Sequence, residues 1–163
     1  MPNYRRAFVP GGTWFFTVNL LQRRDNELLV REIDLLRQVI RQVCHRHPFK
    51  IDAWVVLPEH MHCVFTLPPD DCDFSLRWRL IKSRFSRALP KTEMLSAVRK
   101  KYGERGIWQR HYWEHLIRDE IDFQRHVDYV HVNPLKHGLV KRVRDWPYST
   151  FHRDVETGIY ALD

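Results

Sequence analysis

The chain has 163 residues, a length suited to one domain with a single substantial core, and its 44% hydrophobic and 13% aromatic content excludes a disordered chain. Lys and Arg number 27 against 20 Asp and Glu, a net charge of +7 and a sequence pI near 9.6, which suits a polyanionic partner whose bases can stack on aromatics. Cys44, Cys63 and Cys72 form no CxxC pair and no run reaches membrane-spanning length, so the reading is a cytoplasmic protein with reduced thiols, no disulfide framework and no membrane partner.

In chain order, Thr13–Leu20 (TWFFTVNL) is β-rich, follows the turn signal Pro10-Gly11-Gly12 and predicts a first strand. Ile33, Leu36, Ile40 and Val43 recur at the spacing of an amphipathic helix over 33–47, which Pro48 ends. Phe49–Leu57 and His60–Leu67 predict two strands of an antiparallel hairpin, joined at Pro58-Glu59. A second helix, about 75–89, sets Phe74, Trp78, Ile81 and Phe85 on one side, with Arg77, Arg79, Lys82, Arg84 and Arg87 over the rest. Residues 90–106 read as a polar loop with a short helical piece, and Ile107–Ile117 as a fourth strand with an irregular entry. A third helix runs from about Asp119 to Asn133, with Asp119, Glu120 and Asp122 at its positive end, and Pro134 and Gly138 bring it to a stop. The chain is thus expected to be one domain over 1–163, with 134–163 as a C-terminal tail. The order strand, helix, strand, strand, helix, strand predicts an α+β fold: a ferredoxin-like (RRM-like) antiparallel sheet with helices on one face, followed by a C-terminal helix that bears Tyr129. The other face is expected to be free for single-stranded nucleic acid or a catalytic site.

The stretch WVVLPEHMHCVFTL places His60 and His62 two apart in a strand, so they project from one face while Met61 and Cys63 enter the core. Two such imidazoles can chelate one divalent ion, although an isolated HxH is more often two satisfied histidines. The third helix supplies further candidates. Phe123, Val127, Val130 and Pro134 form its core stripe, and His126, Tyr129 and Asn133 form a second stripe about a quarter turn away. Asn133 offers a carbonyl oxygen for Mg²⁺ or Mn²⁺, and Tyr129 offers a phenol that needs activation. Taken singly, Tyr129 more often reads as helix-margin packing and Asn133 as a helix end before proline.

Together these residues resemble the single-tyrosine HUH transposases of the insertion-sequence type. The resemblance narrows to the REP-associated tyrosine transposases, linked to repetitive extragenic palindromes. It rests on His60-Met61-His62 followed by Tyr129 and an amide four residues later. YRR and GGTWFFTVNL near the start, WVVLPEHMH, WEH at 113–115, YVHVNPLKHGLV at 129–140 and WPYSTFHRDV extend it over nearly the whole chain. It implies His60 and His62 as ligands of a catalytic Mg²⁺ or Mn²⁺ and Tyr129 as nucleophile. Asn133 stands where insertion-sequence relatives carry Gln, one methylene longer, and Glu59 is a support or loop residue.

The implied activity is metal-dependent cleavage and strand transfer on single-stranded palindromic hairpin DNA, through a 5′-phosphotyrosine and a free 3′-hydroxyl. Arg5, Arg6, Arg77, Arg79, Lys82, Arg84 and Arg87 are candidate phosphate contacts and Trp108 a candidate base-stacking platform. A solvated basic helix face and a buried tryptophan are the plainer readings of those residues. The alternative functions are a hairpin-binding protein without cleavage and a metal-dependent nuclease that uses water. A replication initiator with the same chemistry is disfavoured by the short chain. A monomer is favoured over a homodimer, with the tail folded back on its own sheet.

Overall fold

The computed structural model describes residues 8–91, 101 and 105–156. Four strands, β1 (Thr13–Asn19), β2 (Lys50–Val56), β3 (His60–Thr66) and β4 (Trp113–Leu116), form one antiparallel sheet in the order β2-β3-β1-β4. With helices between β1 and β2 and between β3 and β4, this is the ferredoxin-like arrangement.

Alternation along β1 decides the layers. Trp14, Phe16 and Val18 face one side, where α1 (Leu28–Arg31), α2 (Ile33–Arg46) and α3 (Phe74–Arg87) cover them. Leu36, Val39, Ile40 and Val43 are the buried stripe of α2, and Phe74, Trp78, Ile81 and Phe85 that of α3. Each such side chain contributes about 1.5–3 kcal/mol by leaving water, so this layer is the main source of cohesion. Asp73 caps α3 by accepting from Leu76 N at 3.0 Å.

The opposite face is not free. Phe15, Ala53, Val55, Leu57 and Val64 make it apolar, and α4 (Glu120–Lys136) lies over it through Val127 and Val130. An apolar sheet face of that extent needs cover, and the tyrosine-bearing helix provides it.

Two boundaries differ from expectation. Pro134 does not end α4, which continues to Lys136. Proline has no N–H to donate, but the turn beyond it closes in a Schellman motif. Gly138 (φ +70°) donates to Leu135 O at 3.0 Å and Leu139 donates to Pro134 O at 2.9 Å. The fourth strand is only Trp113–Leu116, because Trp108 turns its ring inward, 5.6 Å from Phe85, with Nε1 donating to Ser86 Oγ.

The tail folds back along β2. Val56 N donates to Tyr148 O, Thr150 N to Trp54 O, and Trp146 Nε1 to Val56 O, which covers that sheet edge. His131 of α4 meets Thr150 Oγ1 at 2.7 Å just before α5 (Phe151–Glu156), so the tail ties helix and sheet together. No helix among the described residues is long and apolar enough to cross a membrane.

Candidate active site

His60 and His62 leave β3 on the α4 side, while Met61 and Cys63 sit in the layer under α2 and α3. The two rings stand 4.9 Å apart and nearly perpendicular, at 3% and 5% exposure. Each is held by one nitrogen. Thr17, directly opposite on β1, meets His62 Nδ1 at 2.8 Å, and Glu59 Oε1 meets His60 Nδ1 at 2.7 Å. Arg23 holds the same Glu59 oxygen at 3.2 Å. Both Nε2 atoms are thereby left for a ligand, and the carboxylate–histidine pair is the arrangement that orients metal-binding imidazoles.

The electrostatics favour unprotonated rings. Burial pushes His62 down to about 3, helped by His60, His137, Lys136 and Arg23. Burial also lowers His60, and Glu59 opposes that only in part. Burial raises the Glu59 carboxyl, but His60 and Arg23 outweigh it and hold it below the usual carboxylate range. Unprotonated imidazole is the form that binds metal.

From the far side, α4 presents Tyr129, whose ring lies 5.3 Å from His62 and 5.8 Å from Phe15. Lys136 Nζ donates to Tyr129 Oη at 3.3 Å and sits 4.8 Å over its ring. Asn133 is fully buried; its Nδ2 donates to Tyr129 O at 2.6 Å, and its Oδ1 has no hydrogen-bond partner. A buried carbonyl oxygen left without a donor fits a cation ligand. His137, which caps α4, stands 5.2 Å from His60, and ligand nitrogens of His60, His62 and His137 all lie within 4.8 Å of one another. The three imidazoles therefore fit a divalent ion, with His137 within reach of the third position, and Asn133 Oδ1 is an orphaned oxygen one turn earlier on the same helix.

His137, Lys136, Thr17 and Arg23 were not among the sequence candidates. The signal for His137 was present: it continues the stripe of Tyr129 and Asn133 by one turn, provided the helix is carried through Pro134.

The expected nucleic-acid residues do not converge here. Arg77 is 1% exposed and fully engaged, with a bidentate pair to Asp71 at 2.8 and 2.9 Å and bonds to the carbonyls of His47, Pro48 and Asp73. It pins the start of α3 to the end of α2 and has no donor left for phosphate. Lys82 donates to Gln109 O at 2.9 Å and lies over Tyr112, and burial pushes it down to about 8. Trp108, 8% exposed, is core and offers no stacking face. Arg79 and Arg87 are exposed and Arg84 half-buried, all on α3 and so across the sheet from the histidines. Arg5 and Arg6 lie outside the described residues.

Residues 17–133 match the family described as Transposase IS200 like, a span that includes both histidines, Tyr129 and Asn133. An Escherichia coli (strain K12) protein described as a REP-associated tyrosine transposase is 52% identical over 163 residues, covering 100% of this chain and 90% of that one. The chain belongs to the REP-associated tyrosine transposases, within the IS200-like family. A Haemophilus influenzae relative, provisionally given the same description, is 46% identical over 164 residues, which cover 100% of this transposase and 93% of that chain. A solved structure of a REP-associated tyrosine transposase bound to a REP hairpin is 51% identical to this transposase. It superposes with a TM-score of 0.85, covering 100% of this chain and 90% of that one.

Proposed function

We propose that this transposase is a metal-dependent single-strand DNA endonuclease and strand transferase that acts on palindromic, REP-like hairpin DNA through a covalent 5′-phosphotyrosine. The observation that carries the reading is the approach of Tyr129 to His62, 5.3 Å between rings, from a different element of the same chain. The nucleophile and the metal-ligand set thus share one side of the sheet, and one copy assembles the site, which supports a monomer as the working unit. The hairpin substrate is carried over from the 51%-identical relative solved with a REP hairpin.

His60 and His62 would hold a divalent ion, Mg²⁺ or Mn²⁺, with Asn133 Oδ1 or His137 completing the set. When bound, such an ion withdraws charge from the scissile phosphate and fixes its orientation. Tyr129 Oη attacks phosphorus in line, the P–O3′ bond breaks, and the phenolic proton is balanced by the one that the departing 3′-oxygen gains. Lys136 Nζ, 3.3 Å from Oη, orients the attacking oxygen. One phosphodiester replaces another, so the reverse step can rejoin a strand without ATP. Exposed Lys136 borders the site and is a cation placed for phosphate beside Tyr129.

The test is incubation with hairpin single-stranded DNA and Mn²⁺ or Mg²⁺, followed by denaturing electrophoresis. A denaturation-resistant adduct is expected, with Tyr129→Phe abolishing it and hairpin binding retained. Binding with no adduct across several REP-type hairpins would leave a binding protein without cleavage. Cleavage persisting in Tyr129→Phe would instead assign the reaction to water.

A further inference from the structure

A second cluster of donors sits on the same side of the sheet as the histidine pair, beyond Phe15. It joins His115 of β4 to Asp122 and His126 of α4. His115 pairs in register with Phe15 and so projects from the face under α4. Its Nε2 lies 2.9 Å from Asp122 Oδ2, and His126 Nδ1 lies 3.1 Å from Asp122 Oδ1 and 2.8 Å from Asp122 O. The two imidazoles stack at 4.6 Å with 19° between planes, and one ligand atom from each of the three residues falls within 4.8 Å of the others. Phe15 separates this cluster from the active site, 4.9 Å from the His126 ring on one side and 5.8 Å from His62 on the other.

We propose that His115, Asp122 and His126 form a second metal site, for a borderline divalent ion of the Zn²⁺ class, that clamps β4 to the first turn of the tyrosine-bearing helix. Two imidazoles and one carboxylate form a donor set found in open tetrahedral zinc sites and are a poor match for Mg²⁺. All three side chains are about one-fifth to one-quarter exposed, so an ion reaches them without opening the fold. Asp122 is already fixed by Arg118 N, which donates to its Oδ2 at 2.9 Å, and by its own N–H to Asp119 Oδ1 at 2.8 Å. Binding replaces the two histidine contacts to the Asp122 carboxylate with metal bonds and gives up the His126 bond to Asp122 O, and each imidazole shifts its proton to the nitrogen facing away. The ion then turns a hydrogen-bonded link into a coordinate one between two elements that the chain connects through the short turn 117–119. It stiffens the base of the helix that carries Tyr129 without touching the reacting atoms.

The test is Zn²⁺ titration of the untagged full chain, read as bound metal per chain and as thermal shift. Wild type is expected to bind two ions, His60→Ala/His62→Ala one, and His126→Ala or His115→Ala one. In His60→Ala/His62→Ala, Zn²⁺ at a hundredfold excess over its Kd raises Tm by roughly 5–10 °C, and adding His126→Ala removes the shift. If His60→Ala/His62→Ala fails to fold, wild type and His126→Ala alone decide, through a drop from two ions to one. A single ion in wild type that His60→Ala/His62→Ala removes, or a count unchanged by both His115→Ala and His126→Ala, overturns the proposal and leaves a hydrogen-bonded latch.

Discussion

Replacing Glu59 by Gln tests whether the site is built around a metal or around a hydrogen-bond network. Glu59 Oε1 is 2.7 Å from His60 Nδ1, and the His60 side chain is 4% exposed, so water cannot take over the role of the carboxylate. The glutamine carbonyl still accepts from Nδ1–H and keeps the ring orientation, but the negative charge that makes Nε2 a stronger donor is gone. Loss of a carboxylate partner behind a metal-binding histidine weakens metal affinity about 10–100-fold, or about 1.4–2.7 kcal/mol. Losing the half-exposed Arg23 contact adds no more than about 1 kcal/mol to folding. Thr17→Val is the internal comparison. It removes a neutral partner from His62, worth about 0.5–1.5 kcal/mol, so its shift is smaller, about 2–10-fold. The assay is the Mn²⁺ concentration that gives half-maximal phosphotyrosine adduct. Both variants are expected to regain wild-type yield at raised Mn²⁺, with Glu59→Gln needing more. An unchanged Mn²⁺ midpoint in Glu59→Gln, or a defect that no metal concentration rescues, would refute the reasoning.

Asn133→Ala and His137→Ala separate the two candidates for the third ligand: the true ligand raises the Mn²⁺ midpoint at least tenfold, and the other leaves it within about threefold. Gly138→Ala is expected to cost about 1–2 kcal/mol in chemical denaturation, since its φ of +70° disfavours any side chain while a Cβ there meets no atom within 4 Å. A neutral result would mean that the Schellman turn does not hold the end of α4. His131 is buried against Thr150, and burial pushes it down to about 4, with Asp154 opposing in part. The unfolded state therefore binds the extra proton between pH 6.5 and 4, so stability falls as pH is lowered through that window, by about 3 kcal/mol from this group. Melting curves of wild type and His131→Gln should diverge in pH dependence there, and parallel curves would rule the assignment out.

The elements written in hydrophobic period were legible in the sequence. The stripe of α3, the alternation of β1 and β3 and the Pro58-Glu59 turn each carry one periodicity, and the structure follows them. Period two also placed His60 and His62 together, because strand parity admits no other outcome. What stayed hidden depended on tertiary partners. Pro134 reads locally as a stop, yet helical residues on both sides and the Gly138 turn carry α4 one step further, enough to bring His137 to the site. Arg77 read as one of several exposed cations, but it sits three residues after Phe74 and four before Ile81, on the core stripe itself. Asp71 six residues earlier is the partner that makes its burial tolerable. Trp108 looked like part of a strand until Ser86 supplied a partner for its indole N–H.

Because His60 and His62 alternate with Met61 and Cys63, the core under α2 and α3 and the proposed metal ligands are opposite phases of one seven-residue strand. One residue inserted into or lost from the 57–59 turn that shifts β3 in register would exchange the two sets, putting imidazoles among Phe16, Trp54 and Trp78 and sulfur beneath Tyr129. Neither a packed core nor a metal centre survives that exchange, so the hairpin length is under double constraint. Drift in this enzyme is therefore confined to changes that keep the count of residues between Trp54 and Phe65, whatever happens to the loops elsewhere.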